Sequence, residues 1–131
     1  RFRALKFYMS IKTYGLDTFK KAVSYNIKLT DDVEKILRKS RHWEIISPAT
    51  LAVINFRYNP IGLNLSEKEI DVLNQEISKK VMDSKEAFLV TTILNKQVVL
   101  RMCLINPKTT IDDINETLAL CHKFGQEILN K

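Results

Sequence analysis

The spacing of apolar positions changes several times along the chain, and each change marks an element. Residues 2–14 carry Phe2, Ala4, Leu5, Phe7, Tyr8, Met9, Ile11 and Tyr14 at helical spacing, with Gly15 placed to end the helix. These positions cover more than one stripe, so this helix needs cover on two sides. A longer helix over 17–39 shows one stripe, with Phe19, Val23, Ile27, Val33 and Ile36/Leu37 continuing from Leu16. Two short strands follow. The first, 43–46, stops at Ser47-Pro48, and the second, 51–58 (LAVINFRY), stops at Asn59-Pro60. Ser66 and Glu69 have capping-box spacing and open a helix that runs to 83, with Ile70, Leu73, Ile77 and Val81 inward. Strands 87–94 and 97–105 flank Asn95-Lys96, a two-residue hairpin turn. A last helix, 111–129, begins behind Thr109 or Thr110 as cap. The order ααββαββα predicts an α+β domain: a small, mainly antiparallel sheet with helices packed on it.

Composition adds limits. The 131 residues are 45% hydrophobic, enough for one core and one domain over 1–131. No apolar run reaches the roughly 20 residues of a membrane-spanning helix, and no secretory leader is visible. The expectation is a cytoplasmic protein with no membrane partner. Cys103 lies in a predicted strand and Cys121 in a predicted helix, so both are expected as buried, reduced thiols. The net charge of +6 is dispersed. Its densest group, Lys35, Arg38, Lys39 and Arg41, closes a helix, where cations complement the dipole, so no nucleic-acid partner is expected. The chain opens Arg-Phe-Arg and enters a helical pattern at once. Together with the doubly apolar first helix, this predicts that residues 1–15 connect to a larger domain upstream.

Signatures of chemistry are sparse. The three glycines form no phosphate loop, the histidines and cysteines lie at no metal-ligand spacing, and no serine sits in a G-x-S-x-G elbow. No catalytic, metal or cofactor-binding residue is expected in 1–131. Arg101 is the one candidate. It sits mid-strand, with Val98, Leu100, Met102 and Leu104 on one face and Val99 and Cys103 beside it on the other. An arginine among apolar residues in a central strand needs an anion, either a local carboxylate or a ligand. Arg57, near a strand end, reads as a solvated or rim residue.

Several stretches resemble one family. Residues 1–15 (RFRALKFYMSIKTYG) are similar to the segment that follows the cofactor-binding domain in group II pyridoxal-phosphate-dependent amino-acid decarboxylases. That family includes the aromatic-L-amino-acid, tyrosine, glutamate, histidine and diaminobutyrate decarboxylases. LAVINFRY resembles its strand ending in Phe-Arg. Residues 87–110 (AFLVTTILNKQVVLRMCLINPKTT) resemble its hairpin, Leu-Arg strand and Asn-Pro-x-x-Thr turn. The resemblance implies the C-terminal small domain of a fold type I enzyme. It implies pyridoxal 5'-phosphate as the parent's cofactor, a missing N-terminal cofactor-binding domain, a homodimeric parent and an amino-acid substrate, with an aromatic one favoured by the opening motif. The cofactor lysine would lie upstream of Arg1, so the fragment alone is expected to be inactive. His122-Lys123 imitates the end of the cofactor-lysine motif but lies late in an amphipathic helix. The resemblance also places Arg101 near the substrate carboxylate. Another fold type I lyase or transaminase, or a stand-alone α+β ligand-binding module, are the alternatives.

Overall fold

A computed structural model describes residues 3–130. Its elements are α1 (Ala4–Tyr14), α2 (Leu16–Lys39), β1 (Trp43–Thr50), β2 (Val53–Tyr58), α3 (Glu67–Ser84), β3 (Val90–Leu94), β4 (Gln97–Cys103) and α4 (Ile111–Leu129). The predicted order ααββαββα is thus observed. The four strands form one antiparallel sheet in the order β1-β2-β4-β3.

Both hairpins turn on two residues. Asn95 and Lys96 have positive φ (52° and 66°), as the sequence predicted for the β3–β4 turn. The β1–β2 turn was not predicted. Leu51 and Ala52, expected as the start of a strand, take φ of 48° and 64° and form the turn instead. β1 correspondingly runs through Ser47-Pro48 to Thr50, with register shifts between Ile45 and Ser47 and between Ser47 and Thr50. Proline is tolerated there because β1 is an edge strand. Glu34 of α2 ties down this irregular stretch. One carboxylate oxygen accepts the Ala49 N–H (2.6 Å) while the other accepts from Arg38.

The helices cover one face of the sheet. Ile54, Phe56 and Tyr58 of β2 and Leu100, Met102 and Leu104 from the other central strand meet Val33 and Leu37 (α2), Ile77 and Val81 (α3), and Leu118 and Cys121 (α4). The α3 and α4 capping boxes both form, on Ser66–Glu69 and on Thr110–Asp113, which selects Thr110 over Thr109 as the cap.

α1 stands apart from this core. None of its residues is buried, and Leu5, Phe7, Tyr8, Met9 and Tyr14 are 53–65% exposed. Phe7 meets Phe19 of α2 edge to face (6.2 Å). At about 25 cal/mol per Å² of apolar surface removed from water, such a helix gains little from docking to this chain alone.

Among the described residues no helix is long and apolar enough to cross a membrane. Cys121 is buried, and burial pushes its thiol up to about 12, which makes it inert. Cys103 departs from expectation. It is free but exposed, because it lies on the sheet face that the helices leave open.

Candidate functional site

The face of the sheet turned away from the helices has a closed end and an open end, each built around an arginine. The closed end is where β2 and β4 separate. Their pairing stops at Phe56–Leu100, and side chains from α3 replace the next ladder bonds. Asn74 accepts the Tyr58 N–H (2.7 Å) and donates to the Tyr58 carbonyl (3.1 Å), while Asp71 accepts the Val98 N–H (2.8 Å).

Arg57 lies beneath this junction and is fully buried. It donates to Glu67 Oε2 and to Asp71 Oδ1, each at 2.9 Å. The expectation of a solvated rim arginine was wrong. The first two turns of α3 cross this strand end and bring both carboxylates over the guanidinium, so the charge is covered and paired together. The Arg57 guanidinium, with help from Gln97, holds the Glu67 carboxyl below the usual range. The signal was present in the sequence: Asn74 and Ser78 interrupt the inward stripe of α3, and polar residues on an inward face need partners.

Arg101 occupies the open end. It is exposed, and none of the ion pairs among the described residues includes it. The local ion pair that the sequence left open is therefore not formed. Asn55 lies directly opposite Arg101 on β2 and Val90 on β3, so the three share a row on one face. Asn55 Oδ1 is buried without a hydrogen-bond partner, which places an idle acceptor next to an idle guanidinium. Beside them a cleft of about 390 Å³ is lined by Arg101, Phe88, Cys103, Ile105, Asp113 and Thr109, among others. Phe88 and Ile105 are 82% and 77% exposed. The arrangement can hold a carboxylate in the guanidinium fork with an apolar group alongside.

Tyr58, Trp43, Phe56, His42 and His122 form an aromatic cluster at the edge of the core. His122 therefore takes part in packing, with Nδ1 2.9 Å from the Tyr58 hydroxyl. Among the described residues no group of three or more His, Cys, Asp or Glu could hold a metal ion.

No family model matches the chain. An aromatic-L-amino-acid decarboxylase from Bacillus atrophaeus is 36% identical over 128 residues, covering 98% of this chain. The relatives that match over the full chain are group II pyridoxal-phosphate-dependent decarboxylases. The chain spans about a quarter of the length of the curated relatives it matches (26%) and corresponds to their C-terminal region. A phenylacetaldehyde synthase from Arabidopsis thaliana is 29% identical over 131 residues, covering all of this chain and 26% of that protein. The fold is shared with the crystal structure of Oryza sativa TDC with PLP and tryptamine. The TM-score is 0.84 at 22% identity, over 98% of this chain and 27% of that one. The family's fold, expected from the sequence, is thereby found.

Proposed function

We propose that residues 1–131 are the small domain of a pyridoxal-phosphate-dependent decarboxylase that converts an aromatic amino acid to its amine and CO₂. The observation that carries this reading is the 36% identity across nearly the whole chain to an aromatic-L-amino-acid decarboxylase. The parent is a cytoplasmic homodimer in this reading, with a larger domain holding the cofactor.

The cofactor does not fit within these residues. Among the described residues every lysine is exposed except Lys80, which is half-buried and paired with Glu127 at 2.8 Å. Lys123, beside His122, is exposed along the Phe124 ring. Among the described residues no enclosed lysine is available for covalent attachment. The electron sink that decarboxylation needs is held by chain outside 1–131.

The part proposed for this domain is positional. Arg101 holds the substrate carboxylate by two parallel N–H···O bonds. The exposed apolar side chains of α1 pack toward the larger domain. This predicts that amides of residues 7–11 exchange quickly in the 131-residue chain and slowly in the full-length protein. Equal protection in both would remove the connecting role of α1.

A second reading rests on the phenylacetaldehyde synthase relative: the same small domain serves an enzyme whose product is an aldehyde. One assay separates the two. The full-length protein, loaded with pyridoxal phosphate, is given tryptophan, tyrosine, phenylalanine and glutamate, and CO₂, amine and aldehyde are measured. Amine with stoichiometric CO₂ from an aromatic substrate is expected. Aldehyde in place of amine supports the second reading, and no CO₂ from any substrate overturns the first.

A further inference from the structure

The His42–His122–Tyr58 group is not used by the proposed reaction, and its geometry is unusual for two histidines. Their ring centroids are 4.3 Å apart with the planes tilted by 33°. His122 belongs to α4, His42 immediately precedes β1, and Tyr58 ends β2, so the stack joins the C-terminal helix to the sheet. The contact is close. A Cβ on Gly125, one turn beyond His122, would lie 2.4 Å from the Tyr58 ring. The last turns of α4 therefore rest on Tyr58 through Gly125 and on His42 through His122.

We propose that this stack is a proton-sensitive latch: it holds the C-terminal half of α4 on the sheet while both imidazoles are neutral and releases it in mild acid.

Three observations carry the latch. The Tyr58 hydroxyl and His122 Nδ1 share a hydrogen bond whose direction follows the imidazole tautomer. With the ring proton on Nε2 the hydroxyl donates, and a proton added at Nδ1 reverses the bond and turns the hydroxyl proton away from the ring. His42 Nδ1 is buried with no hydrogen-bond partner, so an N–H there has no acceptor. Two imidazolium rings at the observed separation would also repel each other strongly.

Glu44 of β1 accepts from Asn59, and Glu127 of α4 accepts from Lys80 of α3. The cations Arg41 and Lys123 are exposed. Burial, and then the neighbouring His42, hold the His122 imidazole below its ordinary value of 6.5. A histidine with a lowered folded value leaves stability intact above that ordinary value. The contribution is lost as pH falls through it, until the folded value is passed.

Trp43, the single tryptophan of the chain, packs edge-on to Tyr58 at 5.1 Å and reports on the latch. Its fluorescence and the exchange of amides 121–129 are followed in the 131-residue protein from about pH 7.5 to about pH 5. The expected result is a joint transition centred below 6.5, in which these amides exchange at least tenfold faster while the amides of β2 and β4 stay protected. The transition should disappear in His122→Gln and weaken in His42→Gln. Because either variant could fold poorly, the C2–H proton signals of both histidines are also titrated in the unmutated protein. The inference is overturned if the His122 signal titrates at or above 6.5, or if the helix amides show no change across that range.

Discussion

Arg57 and Arg101 sit on the same face of the same sheet, each on a central strand, and meet opposite fates. Arg57 is fully buried and bonded to two carboxylates, whereas Arg101 is exposed and has no ion-pair partner among the described residues. What differs is the element that crosses above. The start of α3 lies over the Arg57 end and supplies Glu67 and Asp71, while nothing among the described residues closes over the Arg101 end, where Asn55 also keeps an unpartnered oxygen. An arginine that a domain needs for its own stability brings its anions with it. One left idle beside an idle acceptor and a cleft is available for something outside the domain.

Substitution at the two arginines should separate these roles. Arg57→Met removes the cation from beneath two carboxylates and strands Asp71 against the sheet, so it should cost roughly 2–4 kcal/mol, less than a fully buried pair because Glu67 is largely exposed. Arg101→Met should stay within about 0.5 kcal/mol, as an exposed substitution does. Chemical denaturation of both variants gives the answer. Equal losses would abolish the distinction.

Asn74→Leu probes the closure itself. It removes the side chain that satisfies both main-chain groups of Tyr58, so a loss of about 2–3 kcal/mol is expected from the orphaned N–H and C=O. A neutral result in thermal melts would mean that water replaces Asn74 and that the junction is looser than its hydrogen bonds indicate.

Gly125→Ala sets two effects against each other. Alanine improves helix propensity by about 1 kcal/mol, but its Cβ would meet the Tyr58 ring at 2.4 Å. Overpacking of that kind costs roughly 1–3 kcal/mol, so a net loss of about 1 kcal/mol is expected in the same melts. A stabilised variant would show that α4 can shift without penalty.

The smallest effect concerns protonation. Glu67 titrates below the usual range because it accepts from Arg57 and Gln97. With a lowered folded value, its contribution is present above the unfolded value of 4.5 and is lost as pH falls. In Arg57→Met the Glu67 titration, followed by carboxyl NMR, should move up toward the ordinary value. No movement would mean that Arg57 does not act on it.

The elements were legible in the sequence because helical and strand periods alternate cleanly, and the Ser66–Glu69 box and the Asn95-Lys96 turn announced themselves. The β1–β2 turn was hidden, since Leu51 and Ala52 are not residues that favour positive φ and LAVINFRY reads as an unbroken strand. Arg57 was misjudged because the burial of a strand residue depends on which distant element crosses it, and periodicity along a strand does not carry that information. Cys103 was misjudged in the same way. The histidine stack joins residues 80 positions apart and had no local signal beyond a histidine within a packed helix face.

The role proposed for Arg101 is to serve the substrate rather than the fold. The direct test is steady-state kinetics of Arg101→Lys in the full-length holoenzyme, with the melting temperature measured on the same preparation. Lysine keeps the charge and loses the planar fork. A fall in kcat/KM of roughly ten- to a thousandfold is expected, since one lost charge-assisted contact is worth about 1.5–3 kcal/mol, with the melting temperature unchanged. A well-folded Arg101→Lys enzyme with unaltered kinetics would contradict it.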